Sequence, residues 1–453
     1  MPMSSKLSHK DSGQLIESAA RILAVAKQKG ADAADVVVSE GASNSVSVRE
    51  GKRENAQASE NRGFSLRVFS GAKVASVSTN TDDDVETLVD RALAMARVSP
   101  EDPFASLADP DRLARAVPDL DLYDPTEVST EMLAARALAA EEAALSVEGV
   151  TRSSGAGAAH GEVAFALVTS DGFAGGYRRS YSSTSVSVVA GEGAGMQRDH
   201  DSDARSHDGD LRPAAEIGRE AGERAVARLS PRQLETRKGA AVLFEAKQAR
   251  SLLGHLAGAI SGSAVARKTS FLRDRLGKQV LKAGVNVIDD PSILRGAGSQ
   301  PFDGEGVESR RLAMVEDGVL QQWFLSTALG RELGFETNGR GTRSGNSLSA
   351  SPTNLSLEPG AKSPEELMRE IGTGLYVTEL IGHGVNMVTG EYSRGASGFW
   401  IENGEIAYPV SQVTIAGNLR DMFLSMTPAT DLDRLYSIAA PSILVEGLTL
   451  AGR

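Results

Sequence analysis

The chain has 453 residues, a formal net charge of −12 and no cysteine. Its length exceeds one ordinary core and points to two domains; the missing thiols exclude a disulfide framework, a cysteine nucleophile and an iron–sulfur cluster. The acidic balance opposes nucleic-acid binding, and neither a signal-like apolar stretch near Lys6 and Lys10 nor a run of about 18 apolar residues occurs, so a cytoplasmic protein with no membrane span is expected.

Leu15, Ile16, Ala19, Ile22, Leu23 and Ala26 recur at helical spacing and stop before Gly30, predicting an amphipathic helix. The sheet it packs on is signalled by residues 36–38, by Val46 and Val48, and by the alternation Phe64, Leu66, Val68, where Ser70-Gly71 turns the chain into 74–77 as a hairpin. Asp82, Asp83 and Asp84 favour the N-terminus of a second helix with Val85, Leu88, Val89, Ala92 and Leu93 inward. Proline and aspartate punctuate 100–125, a connection whose length suits binding or wrapping another element. A helix over 130–144 follows, then a period-two meander over 150–190 turning at Ser170-Asp171-Gly172.

Residues 213–229 read as a helix and the polar stretch 230–238 as a linker, followed by a strand at 240–244 and a helix over 246–261. Beyond lie short strands separated by Asp289-Asp290-Pro291, Glu316-Asp317-Gly318 and Glu402-Asn403-Gly404 turns. The predicted fold class is α+β. Residues 1–230 form an N-terminal α/β domain with an antiparallel sheet and packed helices; residues 231–453 form a β-rich domain with a curled antiparallel sheet or barrel-like body.

Six segments of the second half, in order, carry a resemblance: SLLGHLAGA at 251–259, TSFL at 269–272, IDDP at 288–291, PFDGEG at 301–306, TNG at 337–339 and VTGEYSRGASGFWIENG at 388–404. The sequence resembles the TldD/PmbA family, and within it the PmbA (TldE) branch. The resemblance implies a zinc-peptidase assembly in which the TldD-type chain carries HExxxH on a helix and the PmbA-type chain does not. Zinc hydrolysis needs two imidazoles and a third ligand, with a carboxylate to take the proton from bound water. Aligned on His255, the glutamate is replaced by Leu256 and the second histidine by Ile260; aligned without a gap, the three positions are Gly254, His255 and Ala259. The third ligand, which TldD-type chains take from a cysteine before the IENG turn, would fall near Gly395 or Ala396.

Independently of any family, His9, His160, His200, His207, His255 and His383 show no HExxH or HExxxH spacing. The densest imidazole and carboxylate cluster, His200, Asp201, Asp203, His207, Asp208 and Asp210, reads as a solvated loop rather than a metal site, and Asp289-Asp290-Pro291 as an Asx-type turn rather than an acid/base pair. The serine loops Gly345-Asn346-Ser347 and Gly395-Ala396-Ser397-Gly398 lack the nucleophile-elbow pattern, and no glycine run matches a nucleotide-binding motif. His255, His383, Tyr392 and Arg394 are the candidate substrate-binding residues. His255 lies in an apolar helix, His383 stands between two glycines, and Tyr392, Arg394, Phe399 and Trp400 either line a groove for an extended peptide or form a core strand.

The expectation is therefore a chain with no catalytic or metal-ligating residue and no cofactor of its own, zinc being held by a TldD-type partner subunit. The two would form a heterodimer that encloses peptide or unfolded protein, a homodimer being open to the same surface. The rival readings are a stand-alone peptidase with a non-standard site, built from His255 and His383, and a regulatory binding protein.

Overall fold

The computed structural model describes residues 12–344 and 347–452; Lys6, His9 and Lys10, and Gly345-Asn346 of one serine loop, lie outside the described residues. Six antiparallel strands build one large sheet: β1 (Ala33–Arg49), β2 (Lys52–Ser70), β3 (Lys73–Thr79), β4 (Val150–Thr169), β5 (Ala174–Ala190) and β6 (Gln197–Arg205), in the order β3-β2-β1-β4-β5-β6. The tight turn at Glu50-Gly51 puts both residues at positive φ, the geometry that a two-residue hairpin demands. Both of their backbone N–H groups are caught by the Glu141 carboxylate.

Alternation assigns the even-numbered positions of β1, β2 and β4 to one apolar face. At one end α1 (Ser12–Gln28) and α2 (Val85–Val98) cover Val36, Val38, Leu66 and Ala166; at the other, α3 (Thr130–Leu145) and α4 (Ala214–Ala227) cover Val46, Val48, Ala156 and Val188. Asp84 and Ser129 cap α2 and α3 by accepting hydrogen bonds from Thr87 N and Met132 N. The α3–α4 crossing is close enough to require glycine, since a Cβ on Gly218 would lie 2.1 Å from the Ala140 carbonyl oxygen.

In the second half, β7 (Arg237–Phe244) runs parallel to the strand Gly374–Ile381, which continues through Glu391–Glu402 and Glu405–Asn418 to Ile443–Ala451; the last of these returns to β7 and closes a five-stranded barrel. Helix α5 (Ala246–Ala259) buries Leu252, Leu253 and Leu256 in the same core as Val242, Tyr392, Trp400 and Val445. A second sheet, ordered Val319–Leu320, Leu312–Glu316, Val287–Asp289, Leu355–Leu357, Ile438–Ala439, completes this half. The expected α+β class and barrel-like body are found. The 100–125 connection wraps as anticipated, with Ala114 N donating to Gly306 O, Arg295 N to Leu120 O and Ser180 N to Leu122 O.

Two expectations are corrected. The 200–210 cluster is no solvated loop: residues 197–205 form edge strand β6, and Asp199, Asp201 and Asp203 alternate onto the helix-covered face and are buried. Asp289 does not belong to a turn either. It is a fully buried strand residue paired with Arg340, and only Asp290 makes the Asx turn, accepting from Ser292 N and Oγ. Among the described residues, no helix is long and apolar enough to cross a membrane.

Candidate functional site

Helix α5 and the strand Glu391–Glu402 bring three of the four candidate residues together. His255 is half-buried on α5, and its ring meets Tyr392 edge-on, centroids 6.2 Å apart at 74°. Tyr392 and Arg394 are two residues apart on the strand and share a face. Burial, and then the positive charge of Arg394, lower the pKa of His255, keeping the imidazole neutral at neutral pH. Burial pushes the Tyr392 phenol up to about 12. His255 Nε2 and Arg394 Nε are buried with no hydrogen-bond partner among the described residues, and buried polar atoms without a partner are uncommon.

His383 is exposed in the loop between the barrel strands Gly374–Ile381 and Glu391–Glu402. Its loop is pinned at Gly384, whose carbonyl accepts from Ser393 N at 2.6 Å, and where a Cβ would lie 1.9 Å from the Ser393 carbonyl. The strand Glu391–Glu402 buries side chains on both faces: Tyr392, Ala396 and Trp400 join the main barrel core and Ile401 a separate cluster, while Phe399 is half-buried.

This donor set does not fit zinc. Beside the single imidazole stand a phenol that keeps its proton and a guanidinium that repels cations, and Ala259, Ile260, Gly395 and Ala396 bring no donor atom. Among the described residues, no three His, Asp or Glu side chains are grouped so as to hold a metal ion.

Two charged constellations escape sequence reasoning. In the first, Asp201 binds Lys247 Nζ at 2.5 Å and Arg212 Nη2 at 2.6 Å, while Arg228 spans Asp199 and Glu379. Burial alone would raise the Asp201 carboxyl, but Lys247 and Arg212 hold it below the usual carboxylate range. Acidic residues at period two in 199–203 and arginines four apart at 224 and 228 were its only sequence signal.

The second joins the open face of the large sheet to the PFDGEG segment. Asp35 on β1 receives Arg67 Nη2 at 2.5 Å and lies 2.9 Å from Arg343 Nη2; burial would raise this carboxyl, yet Arg343 and Arg67 keep it low. Asp303 and Glu305 lie beside it, both buried. A Cβ on Gly341 would sit 2.8 Å from a Glu305 oxygen and 2.9 Å from an Asp303 oxygen, so both carboxylates close on that glycine. Burial, and then the Glu305 charge, push the Asp303 carboxyl up to about 7, and burial raises Glu305 as well.

The folded chain thus keeps a proton that the unfolded chain releases between about pH 4 and pH 7, so this pair costs stability as pH rises through that window. Glu305→Gln removes one charge while leaving an oxygen to accept from Thr327 N. Burial, the larger cause of the Asp303 shift, remains in the variant, so the decline in urea-unfolding free energy across the window is expected to flatten only in part, by roughly 1–2 kcal/mol. Parallel wild-type and variant pH curves would refute the effect of the Glu305 charge on Asp303.

Comparison with known proteins matches three consecutive family models: PmbA/TldA metallopeptidase domain 1 over residues 34–96, the central domain over 123–229 and the C-terminal domain over 236–452. Metalloprotease PmbA of Escherichia coli O157:H7 is 38% identical over 97% of this chain and 96% of its own length; the PmbA homolog of Haemophilus influenzae is 35% identical over 94% and 93%. Among solved structures, a putative modulator of DNA gyrase from Bacteroides thetaiotaomicron superposes with a TM-score of 0.90 at 26% identity, covering 98% of this chain and 100% of that one. TldE from Thermococcus kodakarensis shares the fold, with a TM-score of 0.82 at 20% identity, covering 96% of this chain and 99% of that one.

Proposed function

The chain belongs to the PmbA/TldD family of metallopeptidases, and from that membership we propose that it acts as the PmbA/TldE-type subunit of a cytoplasmic peptidase complex whose zinc is held by a TldD-type partner. The observation that carries this reading is the surroundings of His255. Where a zinc-binding chain needs further donors, this one has Tyr392 and Arg394. A guanidinium suits a peptide carbonyl or carboxylate, not a cation.

The role assigned to this chain is to shape the chamber and bind substrate, peptide or unfolded small protein, with the half-buried Arg394 guanidinium facing its polar groups. The partner's metal supplies the activated water. Two chains of one fold would pair about a pseudo-twofold axis.

The test is zinc analysis and peptide digestion of this chain alone, of a TldD-type chain alone, and of the two mixed. Cleavage by the mixture that exceeds the sum of the parts, with zinc only in the TldD-type chain, is the expected result. Stoichiometric zinc in this chain together with unaided cleavage would overturn it.

A further inference from the structure

Where the two halves meet, β6 and α4 face the start of α5, the strand Gly374–Ile381 and Tyr436 across a cleft of about 360 Å³. That volume is in the range of small-ligand sites. Five cationic and three acidic side chains line it, an excess of positive charge in a chain whose net charge is −12. The acids are already matched: Asp201 by Lys247 and Arg212, Asp199 and Glu379 by Arg228.

What remains, besides the exposed Arg198 at the rim, is Arg224 and Arg250. Arg224 approaches Asp199, Asp201 and Glu245, each only at 3.8 Å, and makes no hydrogen bond among the described residues. Arg250 stacks its guanidinium 3.5 Å over the Tyr436 ring and meets no carboxylate among the described residues. Stacking fixes the plane of a guanidinium and leaves its N–H edge free for a planar, bidentate acceptor. A guanidinium fixed by stacking with its N–H edge free, beside a second that hydrogen-bonds none of its neighbouring carboxylates, is an arrangement that can recognise an oxyanion.

We infer that this interdomain cleft binds a compact oxyanion, a carboxylate or phosphate group of a small ligand, through Arg224 and Arg250. Such a ligand touches elements of both halves and so stabilises their contact by mass action. The inference is independent of the peptidase reading, because its test uses no activity.

Thermal unfolding of the full chain is followed against increasing inorganic phosphate, a short peptide with a free C-terminal carboxylate, and the same peptide as its amide, each against potassium chloride at equal ionic strength. A saturable rise with phosphate or with the free acid, absent with the amide, is expected; which of the two acts tells phosphoryl from carboxylate ligands. The midpoint concentration should rise about tenfold or more in Arg224→Gln/Arg250→Gln. It should stay unchanged in Arg219→Gln, an exposed arginine of the same helix. If the double variant does not fold, Arg250→Gln alone, half-buried at the cleft wall, gives the reading. Stabilisation no greater than that by chloride, or undiminished binding by Arg250→Gln, overturns the inference.

Discussion

Arg340→Met is expected to lower the unfolding free energy by about 3–5 kcal/mol, the cost of stranding a buried charge. Arg340 and Asp289 are both fully buried. The guanidinium donates to Asp289, to the carbonyls of Asn338 and Gly339 at 3.1 Å and to that of Arg310 at 2.7 Å, while Asp289 also accepts from Thr353 N and Oγ1, both at 2.8 Å. Methionine fills much of the volume and meets none of those acceptors, so Asp289 must either remain charged and unpaired or take up a proton. Replacing both partners, as Asp289→Leu with Arg340→Met, removes the stranded charge and should recover part of the loss. Urea unfolding decides between the outcomes: a single variant within 1 kcal/mol of wild type, on the scale of about 1 kcal/mol for an ordinary substitution, would deny the pair its role. The IDDP and TNG segments, two of those that carry the family resemblance, are thus joined by Arg340 as architecture rather than as a reacting pair.

How far the sequence disclosed this molecule depends on how each residue is buried. Helix α1 was legible because Leu15, Ala19, Ile22 and Leu23 are apolar and buried, so spacing and burial agree. Strand β1 looked like two pieces, since Gly41, Ala42, Ser43 and Asn44 interrupt its valines, yet pairing with β2 and β4 carries it across. The β2 stretch Lys52–Arg53–Glu54–Asn55 through Asn61 carried no strand signal at all; its side chains are exposed, and its extended state follows from its register with β1 alone. Pairing over long range overrides weak local propensity. The same limit hid β6, because Asp199, Asp201 and Asp203 look soluble until Arg212, Arg224, Arg228 and Lys247 arrive from other elements. At the candidate site, His255, Tyr392 and Arg394 do converge, whereas His383 lies out on its loop. Neither the unpartnered polar atoms there nor the burial of Asp303 and Glu305 is a property of spacing, and only packing reveals them.

Phe302→Ala tests the joint between the halves. Phe302, from the PFDGEG segment, is 1% exposed and seats on the open face of the large sheet. Its ring lies 4.8 Å from Phe173 at 66° and 5.5 Å from Tyr177 at 83°, edge-to-face geometries worth more than area alone. Leu167, together with Leu113 from the wrapping connection, completes the cluster. Truncation leaves a cavity bounded by rings of a rigid sheet, which has little freedom to collapse, so a loss of about 3–5 kcal/mol is expected. Because the first half's β-sheet core and the second half's barrel core are separate clusters, the damage falls on their contact. Calorimetry should then resolve two transitions in the variant against a single one expected for wild type, with Phe302→Leu intermediate; a single transition at an unchanged temperature would show that the aromatic joint does not couple the halves. If the proposed TldD-type partner needs both halves in fixed relation, the alanine variant should also fail to support the proposed cleavage at temperatures where each half remains folded. That failure would trace loss of function to geometry, with His255, Tyr392 and Arg394 untouched.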